Sequence, residues 1–187
     1  MSAAIPGCLT ERHLTLFGTI VQWFARHELL MRKIMATVIG SDSAAVILLT
    51  RGLSFGDMRH AVLDLLRHRR VPLDQFDAVY RYLELPDALS TLCDKIEHST
   101  WIPGPSPSSI QPDWILPRPR TIKPMYAAAD TRSEDFAEDD DEKVEYTLDD
   151  LEEAAETLGR NYEGFSDYVR EVGLIDPRMD ERSPRRQ

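Results

Sequence analysis

The residues best suited to chemistry lie in Leu85–Trp101, LPDALSTLCDKIEHSTW, where a helical pattern runs into His98, then Ser-Thr-Trp and a proline-rich break. Histidine exchanges a proton near neutral pH, so a histidine with charged neighbours is the natural candidate for general acid–base work. Leu85, Leu89, Leu92 and Ile96 recur at spacings of four, three and four and form one apolar stripe. At about 100° per residue, Asp87, Thr91, Asp94 and His98 share the opposite side as a narrow polar stripe. Lys95, three residues before His98 and on a neighbouring side, is the nearest cation. His98 admits two readings: a working group on a polar face, or a histidine at a helix C-terminus held by the macrodipole and by Asp94 at i−4.

Other residues could join such a site. Glu28 falls near the centre of the apolar face of the first helical segment, and a carboxylate there must be paired or neutral. It reads either as a structural partner of Arg51, Arg59 or another basic residue, or as a polar group facing the His98 groove. Arg69 and Arg70, in the run Arg67–Arg70, and separately Arg26, His27, Arg32 and Lys33, are placed to contact phosphate or to form solvated faces. Trp23 and Trp101 read as packing anchors, with stacking on a base as the functional alternative.

Helices must position these groups. Glu11–Ile39 carries Phe17, Ile20, Val21, Phe24, Leu30, Met31, Ile34, Met35 and Val38 on a broad apolar face, and Gly40 ends it. Ser41 or Ser43 caps a short helix whose centre, AAVILL, is apolar on all sides and is expected to be buried before Gly52 stops it. Ser54 and Asp57 have capping-box spacing ahead of Met58, Ala61, Val62, Leu65 and Leu66. Pro72 opens the next helix, with a stripe of Leu73, Phe76, Tyr80 and Leu83, and Pro86 makes residues 73–98 a kinked helix or two stacked ones. Thr147 and Asp150 open a last helix in which Leu151, Ala155, Leu158, Tyr162, Phe165, Val169 and Val172 form a bundle seam.

The expected fold is therefore all-α, an up-and-down bundle of four or five helices over residues 9–175, with an irregular or β-hairpin insertion at 102–126. Seven prolines between Pro103 and Pro124 confine that insertion to short edge strands. Residues 127–145 are acidic and poor in apolar side chains, which predicts a solvated linker, and 176–187 reads as a flexible tail.

The net charge of −10 is uneven. Residues 130–157 hold 14 Asp and Glu against Arg132 and Lys143, a local −12, so the remainder carries +2 and its surface does not exclude an anionic partner. Cys8 and Cys93 form no Cys-x-x-Cys pair, and the five histidines show no tight ligand spacing, so neither a metal site nor a cofactor is expected. The first residues lack the basic-then-apolar pattern of a signal peptide, which predicts a cytoplasmic protein without membrane attachment.

The segments VQWFARHELLMRK, GLSFGDMRHAVLDLL, KIEHSTW and EYTLDDLEEAAE together resemble the HEPN superfamily of small helical-bundle proteins, over about residues 14–172. That resemblance implies a paired bundle, hence a homodimer, and a motif of arginine, four to six residues and histidine that cleaves RNA without a metal. His98 and Ser99 match the end of the motif, whereas Cys93 and Asp94 stand where Arg-Asn would fall. Arginine stabilises a phosphoryl transition state, and Asp94 instead adds negative charge beside the phosphate path. The Arg160-Asn161 pair has no histidine after it and reads as unrelated. The expectation is a dimeric HEPN-like binding protein with an incomplete nuclease motif, its partner an RNA or a cognate antitoxin-like protein in a toxin or defence system. The alternatives are a metal-independent endoribonuclease using His98, with Asp94 and Lys95 beside it, and a purely structural partner-binding bundle.

Overall fold

Helix α1, Glu11–Ile39, is the axis of the molecule, and its start and stop are both set locally. Thr10 accepts from the His13 amide through its hydroxyl (3.3 Å), while His13 Nδ1 accepts from the Thr10 amide (3.1 Å), a capping box with histidine in the usual Glu position. At the other end Gly40 takes φ 72°, a left-handed conformation that glycine adopts without a Cβ clash, and its amide closes on Ala36 O. At 1.5 Å per residue α1 runs about 43 Å, long enough for several elements to pack along it. The structure, a computed structural model, describes residues 9–41, 43–106, 108–115 and 145–176.

Along the chain follow α2 (Ser43–Thr50), α3 (Phe55–His68), α4 (Leu73–Ala88), α5 (Ser90–His98), β1 (Ser99–Pro103), β2 (Ile110–Ile115) and α6 (Leu148–Glu171). α6, α3, α2 and α5 all pack on α1, and α4 closes against α3 and α6. The core is continuous. Ile20, Met31 and Ile34 of α1 meet Met58, Val62 and Leu66 of α3, Val79 and Leu83 of α4, and Leu151, Leu158, Phe165 and Val169 of α6. The molecule is thus an all-α bundle carrying a small hairpin, as the periodicity predicts. No single helix among the described residues is long and apolar enough to cross a membrane.

Three local expectations are corrected. α2 is not buried: only Val46 and Thr50 face α1, whereas Leu48 and Leu49 are 71% and 79% exposed, because an eight-residue helix lying on one neighbour covers one side. The stripe of α4 runs through Phe76, Val79, Leu83 and Pro86, so Leu73 and Tyr80, both expected inside, face solvent. The hairpin starts at Ser99 rather than 102, pairing antiparallel with Ile115 through Pro103 with Ile110, with a bulge between Thr100 and Trp101.

Pro86 supplies no amide for the α4 ladder, and the helix breaks at Leu89 before α5 begins. Where the chain returns, Tyr146 exchanges two backbone bonds with Ile110 (2.9 and 2.7 Å). Glu145, assigned by composition to the solvated linker, is instead fastened. Its carboxylate accepts from the hydroxyls of Ser109 and Ser106 (both 2.7 Å) and the Ser106 amide (3.0 Å), bonds that hold its pKa below the usual carboxylate value. Residues 127–144 and 177–187, the rest of the linker and tail, lie outside the described residues. Asp176, placed in the tail, donates its amide to Thr37 Oγ1 (3.1 Å), just after the buried Leu174 and Ile175.

Candidate functional site

His98 opens onto a cleft of about 560 Å³ walled by three pieces of chain. α1 contributes Val21, Phe24, Ala25 and Glu28, whose spacings of three, one and three keep them on one side of the helix. Leu53 and Ser54, with the first residues of α3, Phe55 and Gly56, form the second wall. Asp87, Ser90, Cys93, Asp94, Glu97 and His98 form the third, carried by the end of α4 and by α5. Of the polar stripe expected from sequence, Asp87, Asp94 and His98 line the cleft, whereas Thr91 is exposed outside it.

The cleft is acidic. Glu28, Asp87, Asp94 and Glu97 line it, and among the described residues no lysine or arginine does. Asp87 is paired from outside the lining with Arg59 Nη1 (2.9 Å) and Glu28 with Arg32 Nη1 (3.2 Å), and Asp94 has an interaction of its own. His98, with one third of its side chain exposed, holds Nε2 3.8 Å from Glu97 Oε2, and Cys93 Sγ approaches the other oxygen of Glu97 at 3.9 Å. One feature favours an anion, since the N-terminus of α3 opens into the cleft. That end is already occupied, because Asp57 accepts from the Ser54 amide (3.1 Å) and hydroxyl (2.6 Å) while the Ser54 hydroxyl caps the Asp57 amide (3.1 Å).

Of the residues singled out from sequence, His98, Asp94, Asp87, Cys93 and Glu28 meet in this cleft, whereas Lys95, Arg69, Arg70 and Trp101 do not. Lys95 is 5% exposed, on the side of α5 that packs inward with Leu92, so it is not the cation beside His98. Arg69 and Arg70 are exposed beyond the far end of α3, roughly 20 Å from its cleft-lining N-terminus at 1.5 Å per residue. Trp101 packs at a tilt against Phe17 (4.9 Å between centroids) and meets Tyr146 edge-on, so it anchors β1 to α1. No family model matches the chain. No curated protein and no solved structure matches it either.

Glu28 is not central to the α1 face. It sits one third exposed at the cleft, and the buried polar residue is its neighbour His27, at 0% exposure. His27, expected among the phosphate-facing cations, follows Ile20 and Phe24 and precedes Met31 and Ile34 at spacings of four, three, four and three, a signal for burial present in the sequence. Its Nδ1 lies 2.8 Å from Trp23 O, an acceptor, so Nδ1 carries a proton. Nε2 lies 2.9 Å from Asn161 Oδ1, so the neutral ring with its proton on Nδ1 is matched when the Asn161 side chain is turned to present its NH2 to Nε2. The Asn161 dismissed as part of an unrelated dipeptide is thus the partner of a core histidine, while Arg160 turns outward to Glu156 and Thr157. Glu97 was the other residue missed, although it continues the Ser90, Cys93, Asp94 spacing.

Proposed function

We propose that this chain is a HEPN-like binding protein without nuclease activity, whose cleft receives a cationic group of a protein partner. The observation that carries the reading is the lining of four carboxylates, with no lysine or arginine among the described residues that wall the cleft. Cleavage of RNA by its own 2′-hydroxyl requires positive charge where the phosphoryl oxygens gather charge. A phosphate oxygen about 4 Å from a carboxylate meets a repulsion of roughly 4 kcal/mol at an effective dielectric constant of about 20. That is as large as the benefit of one well-aimed donor, about 3 to 4 kcal/mol. The burial of Lys95 and the distance of Arg69 and Arg70 leave no offset from these residues.

A guanidinium or ammonium group reverses every sign in that balance, and the half-buried setting of the carboxylates strengthens the attraction over its value in bulk water. A homodimer through the His98 stripe is a poorer fit, because a twofold contact sets the acidic stripe of one copy against its own image. The partner is accordingly a different polypeptide. Purified chain incubated with single-stranded RNA and a chelator should leave the RNA intact, with the His98→Ala variant indistinguishable from it. Chelator-resistant cleavage that disappears in His98→Ala would replace this reading with a metal-independent endoribonuclease.

A further inference from the structure

α2 turns aliphatic side chains outward beside the cleft. Leu48 and Leu49 are 71% and 79% exposed, Ile47 44%, and Leu53, in the turn that follows, is both exposed and part of the cleft lining. Arg32 fixes the junction, donating through Nε to Thr50 Oγ1 (3.1 Å) at the end of α2 and through Nη1 to Glu28 (3.2 Å) in the cleft. Isolated exposed leucines are ordinary, whereas a contiguous group of them next to a polar rim marks a contact surface. Charge decides what covers it.

We propose that the outer face of α2 and the acidic cleft form one docking surface for an amphipathic segment of a partner protein. Aliphatic side chains of the segment rest on Leu48, Leu49 and Leu53, and an arginine or lysine one or two turns further along enters the cleft among Glu28, Asp94 and Glu97. This rests on the reading of the cleft as a cation site. A helix laid in a groove presents its anchors at such spacing, and Leu53, common to both surfaces, sets the register between apolar and charged contacts. A bilayer surface of anionic lipid would bring like charge to the rim. A second copy docked by twofold symmetry would bring its own carboxylates.

The probe is a short fluorescein-labelled helical peptide with leucines at i and i+4 and arginines at i+7 and i+8, compared with a copy carrying glutamate for each arginine. Saturable anisotropy is expected for the arginine peptide and none for the glutamate peptide. Leu48→Ser with Leu49→Ser, and separately Asp94→Asn with Glu97→Gln, should each weaken binding about tenfold or more, the equivalent of about 1.4 kcal/mol, with circular dichroism unchanged. Amide chemical shifts moved by the peptide should cluster at residues 47–56 and 93–98. A variant with altered circular dichroism is replaced by that shift map, which reads the same surface on the unmodified chain. Equal binding of both peptides, shifts elsewhere, or undiminished binding by folded variants would overturn the proposal. So would uptake by phosphatidylserine vesicles that Leu48→Ser with Leu49→Ser abolishes while neither peptide binds, or dimerisation through α2 that excludes the peptide. If the peptides fail while RNA remains uncut, the docking surface falls and the non-nuclease reading stands; RNA cleavage by the unmodified chain removes both.

Discussion

His27 shows what one buried titratable side chain does to stability. Burial lowers its pKa from the ordinary 6.5, and the bonds to Asn161 and the Trp23 carbonyl oppose that shift without cancelling it. The unfolded chain therefore takes up this proton before the folded one as pH falls, so stability is complete above about 6.5 and is lost as pH drops through that value toward the lower folded pKa. Denaturant midpoints measured at pH 7.5 and 5.5 should fall on acidification, and the fall should be smaller in His27→Gln, which has no such proton to bind. His27→Gln should itself lose about 1 to 3 kcal/mol at neutral pH, because the Asn161 amide is left poorly matched inside the bundle. An identical acid response in both proteins would contradict this account of His27. The same residue shows why composition alone misleads: among Arg26, Arg32 and Lys33 it looks cationic and exposed, and only its spacing from Ile20, Phe24, Met31 and Ile34 reveals the core.

At the scale of elements, α6 contributes a buried seam second in length to that of α1. Phe165 and Leu158 are fully buried, Phe165 stacks on Tyr82 of α4 (5.3 Å between centroids), and Trp23 of α1 lies against Gly159, where a Cβ would sit 3.1 Å from the indole ring. Phe165→Ala should destabilise the fold by about 3 to 5 kcal/mol, the transfer term plus the cavity it leaves, in urea unfolding monitored by circular dichroism. A loss under 1 kcal/mol would mean that α6 is not packed as described. Helices of this length were legible because caps and apolar spacing agree, as at Ser54 and Thr147. α2 was not, because its apolar centre AAVILL has no periodicity to say which side is covered. Nor was the placing of Lys95, which spacing put on a side neighbouring His98 and which is buried instead.

For the whole molecule, the chain-wide charge of −10 says nothing of the cleft, where the described lining has four carboxylates and no lysine or arginine. His98, Asp94 and Glu28 were recognisable as site candidates from sequence, since helical spacing identifies a polar stripe. Its negative sign was legible in part, from Asp94 beside His98; what spacing could not show is that Arg32 and Arg59 pair with Glu28 and Asp87, which lie far apart in the chain. The central claim is that this cleft attracts cations and rejects phosphate. The most direct measurement is a pair of titrations of isotope-labelled protein, one with argininamide and one with inorganic phosphate at equal ionic strength, followed through the signals of Asp94, Glu97 and His98. Saturable shifts with argininamide that weaken in Asp94→Asn with Glu97→Gln, and none with phosphate, are the predicted result; saturation by phosphate at His98 without a response to argininamide would contradict it.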